Sequence, residues 1–117
     1  MIHRVLTAMN EAEWEMPDPG SGAVIRPREW TQLAFATGAV AETMTLPNPA
    51  KAGQFLFLVC KSYGGANRVI TAAGALNQTG NTIMTFGAVR DNIALMSIPI
   101  GTGFRWQVIG NDGVDLT

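Results

Sequence analysis

The chain has 117 residues, 47% of them hydrophobic, with eight basic and nine acidic residues and a formal charge of −1 at pH 7. That length holds one domain, whose folding hides roughly two thirds of the unfolded surface, and so apolar a composition excludes extended disorder. The basic residues stand singly from Arg4 to Arg105, with no patch that releases many counterions, which excludes nucleic acid as the main partner.

The first stretch, Met1 to Pro19, carries Glu11, Glu13, Glu15 and Asp18. Ile2, Val5, Leu6 and Met9 recur at helical spacing, so residues 2–13 fit a short helix, and they fit an extended arm equally well. The opening residues show no apolar signal region and no run in the chain is long enough to span a bilayer, so a product made in the cytoplasm, without a membrane partner, is expected. Pro17 and Pro19 stop any helix, and Gly20-Ser21-Gly22 reads as a hinge. The expected organisation is therefore an arm or short helix over 1–22 and a β-domain over 23–117.

From Ala23 onward, short apolar or alternating runs are separated by turn residues every 8–12 residues or so, the spacing of a sandwich or barrel. The runs are Ala23–Arg26, Trp30–Thr37, Val40–Leu46, Gln54–Lys61, Arg68–Ala73, Thr82–Phe86, Asn92–Ile98 and Phe104–Ile109. Between them stand turn formers such as Pro47-Asn48-Pro49, Gly64-Gly65, Gly80-Asn81 and Asn111-Asp112-Gly113. The fold class that follows is all-β, an antiparallel β-sandwich or jelly-roll-like barrel. Phe55 to Cys60 is apolar at every position and reads as a central strand covered on both sides; Ile93 to Ile98 is nearly the same. Phe55, Phe57, Leu58, Ile70, Ile93, Leu95, Trp106 and Val108 are the expected core.

Groups that do chemistry are sparse. His3 is the sole histidine, and Cys60, the sole cysteine, lies in an apolar run that reads as buried. Asp91 and Asp112 stand in turn contexts. Glu42 breaks the apolar alternation of Met44 and Leu46 and reads as an edge-strand charge that discourages aggregation. Gly20-Ser21-Gly22 lacks the third glycine of a dinucleotide fingerprint, since Ile25 stands in its place. The chain is thus read as non-enzymatic, with no catalytic residue, cofactor or metal expected.

The stretch from about Val40 to Leu116 carries a resemblance. It includes Ala41-Glu42-Thr43-Met44-Thr45-Leu46-Pro47-Asn48-Pro49, Lys51-Ala52-Gly53-Gln54, Gly64-Gly65, and Ala75-Leu76-Asn77-Gln78-Thr79-Gly80-Asn81-Thr82 continuing to Phe86. It closes with Asp91-Asn92-Ile93-Ala94-Leu95 and Phe104-Arg105-Trp106-Gln107-Val108-Ile109-Gly110-Asn111-Asp112-Gly113. This succession resembles small virion proteins of tailed bacteriophages, of the capsid decoration (cement) type. The resemblance implies a structural protein at the capsid surface of the virion. Its partners would be the phage major capsid protein and further copies of itself, as a homo-oligomer (trimer or dimer). A tail or fibre module and a carbohydrate-binding β-domain built on Trp14, Trp30 and Tyr63 are the alternatives. For assembly, the apolar residues Ile2, Val5, Leu6, Met9, Trp14 and Trp30 are the expected interface, with Trp14 as anchor; the alternative is that the N-terminal segment folds back and caps one end of its own domain.

Overall fold

The computed structural model describes residues 14–117. Its strands are β1 (Trp30–Ala36), β2 (Glu42–Leu46), β3 (Phe55–Ser62), β4 (Arg68–Ala72), β5 (Ile83–Phe86), β6 (Asn92–Ile100), β7 (Gly103–Asp112) and β8 (Asp115–Leu116). Two four-stranded sheets, β1-β3-β6-β7 and β2-β4-β5-β8, pack face to face as a β-sandwich. β1 to β7 each fall within three residues of an expected run. Ala23–Arg26 is not a strand and makes only a bridge from Val24 to Thr45. β8, two residues long, is too short to leave an alternation in the sequence.

The pairing is mixed. β3-β6-β7 and β4-β5-β8 are antiparallel, as expected, whereas β1 pairs with β3 and β2 with β4 in parallel. A jelly roll of purely antiparallel sheets is therefore not the topology. Parallel neighbours need a crossover, and here each crossover is a strand of the facing sheet. The chain alternates between sheets from β1 to β4, so the first half winds as a flattened coil and the second half folds as hairpins.

Alternation decides which side chains go inside. Thr31, Leu33 and Phe35 of β1, Leu56, Leu58 and Cys60 of β3, and Ile93, Leu95 and Ser97 of β6 face the second sheet. Met44, Leu46, Ile70, Met84 and Phe86 answer from it. Phe35 meets Phe86 edge-on at 4.9 Å between ring centres. Trp106 is buried as expected, and its indole N–H donates to the carbonyl of Pro47 at 3.0 Å. The expected core is corrected at three positions. Phe55 and Phe57 are half-buried on the outer face, because Leu56 and Leu58 hold the inward phase of β3. Val108 is also half-buried, since a bulge between Ala94 and Leu95 shifts the β6–β7 register beside it.

One end of the core is closed by a charge. Arg68 of β4 is fully buried, its guanidinium 4.5 Å from the centre of the Phe35 ring. It donates to Asp18 Oδ1 at 2.7 Å, to Glu42 Oε1 at 2.9 Å and to the carbonyl of Ala36 at 3.3 Å. Burial alone would lower the Arg68 pKa, but its hydrogen bonds to Asp18 and Glu42 and their negative charge outweigh it. The net shift is upward and the cation is kept. Glu42 does lie on an edge strand, yet its carboxylate is a counter-ion of Arg68 rather than a solvated guard.

Residues 14–22 are not detached. Met16 N–H donates to the Gln32 carbonyl at 2.9 Å and Gln32 N–H to the Trp14 carbonyl, which lays residues 14–16 along β1. Gly22 N–H donates to Thr43 at 2.7 Å and Ile25 N–H to Thr45 at 2.8 Å, which lays residues 22–25 along β2. Gly20 and Gly22, with φ near +89° and +84°, supply the left-handed turns that carry the chain between the two edges. The expected hinge is thus a fixed corner, and residues 14–22 shield both coil-side edges from stray pairing.

Candidate functional site

The sandwich has two outer faces, and the sequence treats them differently. On the β2-β4-β5-β8 sheet the outward positions include Thr43, Thr45, Thr71 and Thr85, with Asp115 beside them. Threonine keeps strand propensity while offering a hydroxyl to water, so this is an ordinary wet face.

The outer face of the β1-β3-β6-β7 sheet is apolar over its centre, with Lys61 and Arg105 towards its margins. One row across it runs Trp30, Phe55, Met96 and Gln107, each paired with the next. The next row runs Gln32, Phe57 and Ala94. Ala34, Val59 and Asn92 follow. None of these positions carries a charge. Trp30 is 52% exposed and Met96 36%, and no described element lies over them. Apolar patches of this kind on small domains commonly serve as binding surfaces.

Trp14 completes it from the side. Its ring lies 5.8 Å from Trp30, which lies 5.8 Å from Phe55, with tilts of 39° and 44°. The three rings pack as a continuous ridge rather than a coplanar platform. The Trp14 indole N–H is buried and without a hydrogen-bond partner, and an orphaned donor of that kind costs about 1–3 kcal/mol unless an acceptor arrives. A hollow of about 240 Å³ opens among Trp14, Trp30, Phe55 and Phe57. Alongside runs a wider groove of about 740 Å³, floored by Ala34 and Ala36 and walled by Glu15 to Asp18, with Lys61 at its end. Small alanines beside large aromatics create ridge and groove on one face.

Of the residues singled out in the sequence, Trp14 and Trp30 are brought together. Ile2, Val5, Leu6 and Met9 lie outside the described residues, as does His3. Tyr63 stands beyond the opposite end of β3 and bonds Asn67 at 2.9 Å, away from the tryptophans. Phe55, Phe57 and Met96 are the surface residues the sequence reading missed. Their signal was the uninterrupted apolar run from Phe55 to Cys60: a strand apolar on both sides asks for two covers, and the described residues supply one. Asp91 accepts from Gly87 N–H at 2.9 Å and shapes the turn before β6. Among the described residues no three of histidine, cysteine, aspartate and glutamate gather in a group able to hold a metal ion. Burial pushes the Cys60 thiol above its ordinary pKa, the opposite of what activates a nucleophile.

Comparison with models of known protein families and with curated proteins gives no match.

Proposed function

We propose that this chain is a structural protein of a tailed-bacteriophage virion, a decoration (cement) protein that binds and stabilises the lattice of the major capsid protein. The observation that carries this reading is the uncharged aromatic face centred on Trp30, Phe55 and Phe57, with no described cover. It agrees with the resemblance of residues 40–116 to such proteins. A cement protein needs a sturdy β-core and apolar surface for partners, and many copies on a symmetric shell add weak contacts through avidity. Against a carbohydrate-binding role stands the tilt of the three rings, since a sugar ring stacks on flat, parallel aromatic surface. The test is to locate the protein in purified particles by cryo-EM and to cosediment the full chain with emptied shells. Regular density on the capsid and saturable cosedimentation are expected. Density confined to the tail, or no association with shells, ends the reading.

A further inference from the structure

We infer that the outer face of the β1-β3-β6-β7 sheet is the surface through which copies of this chain pack on one another, the aromatic ridge of one copy entering the alanine-floored groove of the next. The inference rests on the assembly reading above and names the occupant of the face.

Three features select a second copy. The first is shape. Ridge and groove lie side by side on one face, so the patch is complementary to itself, as an interface between identical subunits requires. The second is charge. The paired rows through Trp30 and Gln32 carry none, and the charges at the groove are of both signs, Lys61 at its end against Glu15 and Asp18, with Asp18 already paired to Arg68. The third is size. Strands about 4.8 Å apart and rising about 3.3 Å per residue give four strands plus the 14–16 segment a face of roughly 24 by 23 Å. Two such faces bury on the order of 1,100 Å², which clears the area a specific interface needs. The thirteen residues that precede Trp14, even wound as one helix about 20 Å long and 10 Å across, amount to less than half of one face. Sheet faces pack well on other sheet faces, and the opposite face of this domain is mainly threonine, with Val69 and Ile83 half-buried among the hydroxyls.

The experiment uses the full chain in sedimentation velocity and light scattering from about 1 to 100 µM, with melting temperature measured in parallel. Trp30→Glu and Met96→Glu each place a charge on the face at a partly exposed position, so at least one is expected to fold. Thr71→Glu on the opposite face is the control. The expected result is a closed oligomer of two or more chains whose dissociation constant rises at least 100-fold in either face variant and is unchanged in the control. A wild-type chain that stays monomeric at 100 µM overturns the inference. So does an oligomer indifferent to both face variants, or one lost only when residues 1–13 are removed. A monomer that still decorates shells overturns this inference and leaves the capsid reading standing. An oligomer dissolved by Trp30→Glu that never binds shells does the reverse.

Discussion

The carboxylate of Asp18 meets the buried guanidinium of Arg68 at 2.7 Å, across fifty residues of chain. Arg68 is 1% exposed, whereas the Asp18 and Glu42 side chains keep 27% and 22% of their surface in contact with solvent. The asymmetry predicts an order of effects. Removing both carboxylates, in Asp18→Ala with Glu42→Ala, strands a cation in the core and should destabilise by about 3–5 kcal/mol. Removing the cation instead, in Arg68→Met, leaves two carboxylates that can rehydrate and a side chain that fills the space over Phe35. The loss there should stay below about 2 kcal/mol. Urea unfolding of both variants checks the ranking, and equal losses would contradict it.

The phase of β3 gives a second pair. Leu58 is fully buried and Phe57 half-buried on the outer face. Leu58→Ala should cost about 2–5 kcal/mol, a large share of the roughly 5–15 kcal/mol by which a small domain is stable. Phe57→Ala, although it deletes more atoms, should cost less than about 2 kcal/mol in the dissociated chain. Chemical denaturation at sub-micromolar protein is the measurement. A reversed order would put the phenylalanines inside.

These positions also show what the sequence could reveal. Strand locations were legible because turn residues punctuate the chain at short intervals, and Trp106 because it alternates with Arg105 and Gln107. Phe55 to Cys60 hid its phase: with apolar residues on both sides, nothing in the run tells inside from outside, and side-chain size misled. The parallel pairs were hidden for another reason. Whether Thr31 lies beside Leu56 in parallel or in antiparallel register depends on the long-range path through β2, which leaves no local mark. Glu42 was noticed as an interruption, but its partner Arg68 looked like an ordinary strand-initial arginine, and only the fold brings them together. Of the candidate surface, Trp14 and Trp30 were visible as apolar residues near a hinge. Their stacking on Phe55 depends on a corner at Gly20–Gly22 that read as a flexible link.

Cys60 should be silent as a thiol. It is fully buried, and burial raises its pKa, with the charge of Asp91 adding to the effect. The folded state therefore favours the neutral thiol more than the unfolded state does. That contribution is complete below the unfolded thiol value of about 8.5 and is lost as pH rises through the folded one. Native protein at pH 8 should resist a thiol-specific chromogenic reagent and react fully in denaturant. Stability should decline above about pH 8.5, and Cys60→Ala should remove the part of that decline due to the thiolate. Rapid labelling of the native chain would contradict the burial.

The last prediction concerns residues 14–20, which the sequence set apart from the β-domain and the structure weaves into it. Two truncations isolate them: one chain beginning at Trp14, the other at Ser21. The shorter chain loses the Trp14 ring against Trp30, both hydrogen bonds that exchange with Gln32, and the Asp18 counter-ion of Arg68. Its β1 edge is then unpaired and Arg68 keeps Glu42 as its one carboxylate partner among the described residues. Loss of one partner of a buried ion pair, together with an aromatic contact, should lower stability by about 3–5 kcal/mol relative to the chain beginning at Trp14. In a domain of about 100 residues, each kcal/mol shifts the midpoint by roughly 4–8 °C, so the difference should exceed about 10 °C by calorimetry. Because neither chain contains residues 1–13, whatever those residues contribute cancels in the comparison. Equal melting of the two chains would mean that residues 14–20 only rest on the sheet edge, and the segment would again be free to serve as an assembly arm.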